Sequence, residues 1–232
     1  MVPLNKYLSQ SGVSSRRKAV EIIQNGNVTV NGKKVLEPGF KVGEDDKVKV
    51  NGELVQAERK LVYILLNKPA NTITSTEDPE GRTTVMDLVK DATSEVIYPI
   101  GRLDWNTTGV LILTNDGDLN QKLSHPKYEK RKVYEATLDK PLTRQDFNKI
   151  MSGLELEDGP ITPDRLAYIS PHIVEIQIHS GRNRIVRRIF EEVGYDVKRL
   201  DRVMFAGIKK GTLWPGEWRF MEDEEIKQLK GF

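Results

Sequence analysis

An α+β chain in two parts is predicted: a small helical and β unit, followed by a larger domain built on a mixed, mainly antiparallel β-sheet with flanking helices. Three observations predict it. The length of 232 residues suits a small domain joined to a larger one. Beyond residue 60, strand-like and helix-like segments are interspersed without the regular alternation of βαβ units. Charge also sets the first segment apart and points to an anionic partner for it: residues 1–60 carry 11 Lys and Arg against 7 Asp and Glu, the remainder 25 against 27.

In the first part, Leu4, Tyr7 and Leu8 recur at helical spacing, and Ser14 precedes a second run in which Ala19, Ile22 and Ile23 share one face. Ser14 is the expected N-cap of that helix and Gly26 its C-terminal stop. Val28 and Val30 then alternate with polar residues, Asn31-Gly32 supplies a type I′ turn, and Val35 is expected to begin the return strand. A further strand, KVKV, ends at Asn51-Gly52. The charged residues 56–60 show no apolar periodicity, which sets the expected division: a domain over 1–56, a linker and hinge over 57–60, and a second domain over 61–232.

In the second part VYILL, GVLILTND, KVYEATL, RLAYIS and HIVEIQIHS read as strands, and LTRQDFNKIMSG and RNRIVRRIFEEVG as helices. There is no GxGxxG and no GxxxxGK[ST], so neither a dinucleotide site nor a phosphate-cradling loop is supported. The absence of cysteine excludes thiolate metal sites, iron–sulfur clusters and a cysteine nucleophile. His125, His172 and His179 fall in separate segments without metal-ligand spacing, so no metal is expected. No apolar run approaches a membrane span and the N-terminus lacks the pattern of a secretory signal; a cytoplasmic protein with no membrane partner is expected.

Arg16, Arg17 and Lys18 sit at the first turn of the second helix, where free backbone N–H groups help side chains hold phosphate; the alternative is a solvated charged face. Asp104, in YPIGRLDWNTTGVLILTNDG, lies in a polar loop that opens into an apolar strand. It either carries chemistry at the end of a rigid element or ties the turn through bonds to Asn106 or Thr107. Arg182, Arg184, Arg187 and Arg188 crowd a strand-to-helix junction, and Arg187 borders the helix's apolar stripe. A guanidinium held near a core needs an anionic partner, for which Asp104 is a candidate. The alternative for each arginine taken singly is a phosphate contact or a surface ion pair.

The run LNKYLSQSGVSSRRKAVEIIQNGNVTVNGKKV resembles the small RNA-binding domain named after ribosomal small-subunit protein four. GRLDWNTTG and GRNRIVRRIFEEVG, with Lys132-Val133-Tyr134 between them, resemble the ordered signature motifs of bacterial ribosomal-RNA pseudouridine synthases that carry such a domain. The likeness spans nearly the whole chain, and GRNRIVRRIFEEVG with RVMFAGI is more similar to the branch acting on large-subunit RNA. The resemblance implies that Asp104 is the catalytic carboxylate, that Arg187 pairs with it and keeps it ionised, and that Tyr134 stacks on the target base. Tyr134 alone reads equally as strand packing. The resemblance also implies that Arg102 fills the gap left by an everted base, while Lys132, Arg182, Arg184, Arg188 and the Arg16-Arg17-Lys18 triplet contact RNA. The implied partner is ribosomal RNA, as a structured stem-loop or pre-ribosomal particle. A monomer is expected.

The implied reaction breaks the uridine N1–C1′ bond and rejoins the ring through C5, so it requires no cofactor. Attack on the sugar, attack on the ring and removal of a sugar proton all remain open to the carboxylate. Small-subunit RNA is the alternative substrate. A noncatalytic ribosome-assembly factor on the same fold would have lost the aspartate, but Asp104 is present. A deaminase or methyltransferase would need a zinc site or a methyl-donor pocket, and neither motif appears.

Overall fold

The computed structural model describes residues 1–55, 60–125, 128 and 130–231. Of the expected linker 57–60 only Lys60 is among them, so that linker and its hinge lie outside the described residues. The chain divides into two compact units: Met1–Val62 with the short segments Thr93–Ile97 and Asn115–Gly117, and the remainder. No helix among the described residues is long and apolar enough to cross a membrane.

The first unit runs β1 (Val2–Pro3), α1 (Leu4–Gln10), α2 (Arg16–Gln24), β2 (Val28–Val30), β3 (Lys33–Lys34), β4 (Lys41–Val42), β5 (Val48–Val50) and β6 (Glu53–Leu54). Strands pair in the order β3-β2-β5-β6, with β1 and β4 as a separate pair. Leu4 and Leu8 of α1 meet Ala19 and Ile23 of α2, and Val28, Val30, Val42 and Val48 close this core from the strands. The N-cap of α2 is Ser15, whose hydroxyl accepts from the Lys18 N–H at 3.3 Å, and not Ser14, whose own hydroxyl turns to the Ser15 carbonyl. Asn31 and Gly32 adopt φ of 50° and 79°, as a type I′ turn needs. Because that turn has only two residues, pairing resumes at once, Val30 opposite Lys33, and the return strand starts there and not at Val35.

The second unit contains β7 (Tyr63–Lys68), α3 (Val85–Leu88), β8 (Tyr98–Pro99), β9 (Thr107–Thr114), α4 (Gly117–Ser124), β10 (Lys132–Leu138), α5 (Arg144–Ser152), β11 (Leu154–Leu156), β12 (Gly159–Ile161), β13 (Arg165–Ser170), β14 (Ile173–Ile178), α6 (Ile185–Glu192), β15 (Val197–Phe205), β16 (Ile208–Lys209), β17 (Trp218–Phe220) and α7 (Asp223–Lys230). Its main sheet has the order β13-β14-β10-β15-β9-β7-β17, with β8 on β9 and β16 on β15. Every pairing in it is antiparallel except β9 with β15. The mixed, mainly antiparallel sheet with flanking helices is thus as expected.

Alternation along the strands separates two faces. Tyr63, Leu65, Val110 and Ile112 project from one and pack on Leu119 and Leu123 of α4 and Leu229 of α7. Thr107, Gly109, Tyr134, Leu200 and Arg202 project from the other, because β9, β10 and β15 place Leu200 beside Thr107, Arg202 beside Gly109, and Tyr134 opposite Arg202. The parallel pair depends on Gly109. Its φ is 109°, and a Cβ there would stand 2.2 Å from the Arg202 carbonyl and 2.6 Å from its nitrogen, both fixed backbone atoms. Gly109→Ala should therefore destabilise the chain by about 2–4 kcal/mol, combining backbone strain with overpacking. Urea unfolding measures this, and a loss under about 0.5 kcal/mol, the range of neutral surface changes, would contradict the close approach.

Candidate active site

The second face of the sheet is the floor of a cleft of about 510 Å³ in the second unit. Thr107 of β9, Lys132 and Tyr134 of β10, and Leu200 and Arg202 of β15 form that floor. The loop from Gly101 to Trp105 makes one wall with Ile73 and Thr74, and the segment from Ser180 to Val186 makes the other. Among the described lining residues there are five basic side chains, Arg102, Lys132, Arg182, Arg184 and Arg202, and a single carboxylate, Asp104.

Asp104 is half-buried, and its carboxylate takes no hydrogen bond from a described residue; the bonds to Asn106 or Thr107 that a tied turn would use are made instead by backbone, Thr107 N–H to the Asp104 carbonyl at 3.0 Å. The loop is held from below. Lys68 ends β7 with 0% of its surface exposed, and its ammonium donates to the carbonyls of Asp104 (3.2 Å), Trp105 (3.3 Å), Thr107 (2.9 Å) and Pro69 (3.0 Å). The Thr74 hydroxyl donates to the Leu103 carbonyl at 2.8 Å, and the Asn71 N–H to the Trp105 carbonyl at 2.9 Å. The backbone on both sides of Asp104 is thereby pinned while its side chain stays free for a ligand.

Burial lowers the Lys68 pKa from its ordinary 10.5 to about 8, the Asp104 charge opposing and Arg202 adding to the effect. Lys132, whose ammonium donates to the carbonyls of Lys130, His179 and Ser180, is lowered to about 8 by burial and again by Arg202. These three cations share a small space with one carboxylate.

Arg187 does not line the cleft. It is 8% exposed in α6, its Nη1 donates to the Val197 carbonyl at 2.6 Å, and its buried Nε has no partner. Among the described residues it makes no ion pair within 4 Å, with Asp104 or any other acid. Burial holds its guanidinium below the ordinary value, Arg184 adds to that, and Asp104 pulls the other way, so the two expected partners feel each other's charge without touching. One Arg187 nitrogen is instead held by the Val197 carbonyl of β15.

Of the other expected residues, Tyr134 and Lys132 are on the floor and Arg102 is exposed on the wall. Arg182 and Arg188 already have partners: Asp158 binds them at 2.9 and 2.6 Å, and Arg182 also donates to the carbonyls of Gly159 and Pro160. Arg188 is not among the lining residues. Arg184 stands at the start of α6 with φ of 47°, a left-handed backbone that costs about 1–3 kcal/mol in a non-glycine residue and that turns its side chain out at the cleft's edge. Arg16, Arg17 and Lys18 are exposed on the first turn of α2, in the first unit, without a described partner.

A basic cleft with one carboxylate on a braced loop suits chemistry on a polyanion, and residues 62–192 match the RNA pseudouridylate synthase family. The chain belongs to that family. As a synthase of this kind it isomerises uridine to pseudouridine. Residues 2–48 match the S4 domain. The chain is 42% identical over 236 residues to the ribosomal large subunit pseudouridine synthase B of Bacillus subtilis, covering 99% of this chain and 96% of that one. It is 37% identical over 230 residues to the dual-specificity RNA pseudouridine synthase RluF of Escherichia coli, covering 98% and 78%. A crystal structure of a pseudouridylate synthase superposes with a TM-score of 0.70 at 26% identity, covering 99% of this chain and all of that one.

Sequence reasoning missed Lys68, Thr74, Thr107, Trp105 and Arg202 in this synthase. Asn67-Lys68-Pro69 at the end of an apolar strand was the available signal for the first: a lysine there continues the buried face, where only a set of acceptors makes it tolerable.

Lys68→Met would strip the donor from the carbonyls of Asp104, Trp105 and Thr107. It should cost about 2–4 kcal/mol in denaturant unfolding and lower the rate of pseudouridine formation more than RNA affinity, since the loop that carries Asp104 loosens. An unchanged stability would contradict the tether. A second expectation concerns pH. Lys68 and Lys132 titrate near 8 when folded and near 10.5 when unfolded, so between those values the unfolded chain binds more protons and their contribution to stability rises with pH. The wild type should gain stability relative to Lys132→Met across that window in unfolding titrations at successive pH values. A constant difference would mean an ordinary, solvated Lys132.

Proposed function

We propose that this synthase modifies ribosomal RNA, that its target lies in the large subunit, and that Asp104 is the carboxylate that performs the isomerisation. The observation that carries the reading is the single carboxylate among the lining residues of a basic cleft of small-ligand size. Large-subunit RNA is favoured because the Bacillus subtilis relative, 42% identical over nearly the full length of both chains, bears that substrate in its name.

The target uridine leaves its stack, at a cost of a few kcal/mol, and enters the cleft, where Tyr134 stacks on the ring and Asp104 meets the sugar and glycosidic bond. Arg102, exposed on the wall, occupies the vacated stack. Arg187 keeps Asp104 ionised through space, its unpartnered Nε being the nitrogen that closes on the carboxylate when the site fills. Lys132 and Arg184 bind phosphates at the cleft. Arg182 and Arg188 join them by exchanging Asp158 for phosphate. Residues 1–56 grip the RNA through Arg16, Arg17 and Lys18 at the start of α2, residues 61–232 hold the chemistry, and 57–60 connect them. The enzyme works as a monomer in the cytoplasm, without a cofactor, because the reaction transfers neither electrons nor groups from outside the RNA.

Asp104→Asn should abolish pseudouridine formation on ribosomal RNA while leaving RNA affinity within about threefold, a change of well under 1 kcal/mol. Activity in that variant would remove the mechanism. Mapping pseudouridines after deletion of the gene tests the substrate: a site lost from large-subunit RNA is expected, a site lost from small-subunit RNA would redirect the assignment, and an unchanged map would favour an assembly factor.

A further inference from the structure

Arg202 is a buried cation on the cleft floor without an acid among the described residues. It is 2% exposed and its guanidinium lies 4.7 Å from the centre of the Phe205 ring, but its one described hydrogen bond runs from Nε to the Val110 carbonyl at 2.9 Å, and its Nη2 is buried without an acceptor. Arg182 and Arg188 are matched by Asp158 and Arg219 by Glu225, whereas Arg187, also buried, has only the Val197 carbonyl. Arg202 forms no ion pair with any described residue. Beside it on the floor, the Thr107 hydroxyl is likewise buried and unpartnered. A buried donor left unmade costs free energy, and two on one cleft floor point to acceptors that arrive with a ligand.

Resting on the reading of Asp104 and Tyr134 given above, we propose that Arg202, seconded by Thr107, is the group that reads the uracil ring, donating to its carbonyl oxygens. Depth decides between base and phosphate. The phosphates of an everted nucleotide stay with the strand at the mouth, where Arg102 and Arg184 are exposed, whereas the base travels furthest in, toward a residue sealed at the floor. Register supports the same choice: Arg202 lies directly opposite Tyr134, so both side chains rise from one face about 5 Å apart at Cβ, one for the ring's face and one for its edge.

The reaction itself gives this donor a use throughout. When N1–C1′ breaks and C5–C1′ forms, C5 surrenders its proton, N1 acquires one, and the ring turns half a revolution about the line through N3 and C6. That rotation exchanges O2 with O4. A fixed guanidinium therefore meets a carbonyl oxygen both before and after the turn. Cytosine would present its amino group in one of the two orientations, donor against donor, so the same contact rejects it.

The test uses the full chain and a synthetic RNA hairpin carrying the uridine identified by the deletion map, tritiated at C5 so that release reports turnover. Arg202→Met should slow single-turnover release about 10- to 100-fold, the effect of one charge-assisted hydrogen bond, with RNA affinity and its salt dependence unchanged; Arg202→Lys should recover part of the rate and Thr107→Val should lose a few-fold. Replacing the target by 2-thiouridine, a poorer acceptor, should slow the wild type and Thr107→Val but add little in Arg202→Met. Should Arg202→Met fail to fold, Arg202→Lys takes its place in the thio comparison. Variants as fast as wild type, an undiminished thio effect in the arginine variant, or weaker binding with a flatter salt dependence would overturn the assignment, the last in favour of a phosphate contact. A wild type that releases no tritium overturns the Asp104 reading along with it.

Discussion

A buried ammonium organises this cleft. Lys68 has surrendered its hydration entirely, and what replaces water is a set of backbone carbonyls, two of them from the loop that bears Asp104 and one from the start of β9. The exchange fixes the loop more firmly than apolar packing would, because each carbonyl that drifts away leaves part of a charge unsatisfied in a low-dielectric setting. The Asp104 carboxylate can then remain without a described hydrogen bond and half-exposed while its backbone is held. Rigidity comes from beneath, freedom is kept on top.

The sheet makes this possible through a division of labour between its faces. One side is apolar and carries α4 and α7; the other is the cleft floor, where Tyr134, Arg202 and Thr107 are brought together from three strands. Strand alternation alone determines which side each residue joins, so positions next to one another in sequence serve opposite purposes: Val110 packs in the core while Gly109 lets β15 approach closely enough to place Arg202. Burial and chemistry are two readings of the same pleat.

Much of this was legible in the sequence where one periodicity dominated. α5 and α6, and the strands β7, β9, β10, β13 and β14, fall within two residues or so of where apolar spacing puts them. Asp104 and Tyr134 were identifiable from the motifs around them, and both line the cleft. β15 was not legible, because Lys198, Arg199, Asp201 and Arg202 interrupt its apolar alternation; its place is set by neighbours on both sides, not by its own composition. Lys68 and Arg202 were hidden for a related reason: pattern reading assigns charged residues to solvent, and these two are inside. The partners of Arg182 and Arg188 were equally invisible, since Asp158 lies 24 and 30 residues away in another element.

The lone parallel pairing has a bearing on how the molecule is assembled during synthesis. The Val110 carbonyl and the Arg202 side chain that it accepts from are 92 residues apart, and the floor of the cleft exists only once they meet. Closing so long a segment loses chain entropy before any contact repays it, which places this step among the slow, late ones of folding. A ribosome that has not yet reached β15 holds a chain with Asp104 already made but no basin around it. The cleft floor is complete only after β15 has been made and slots in between β9 and β10.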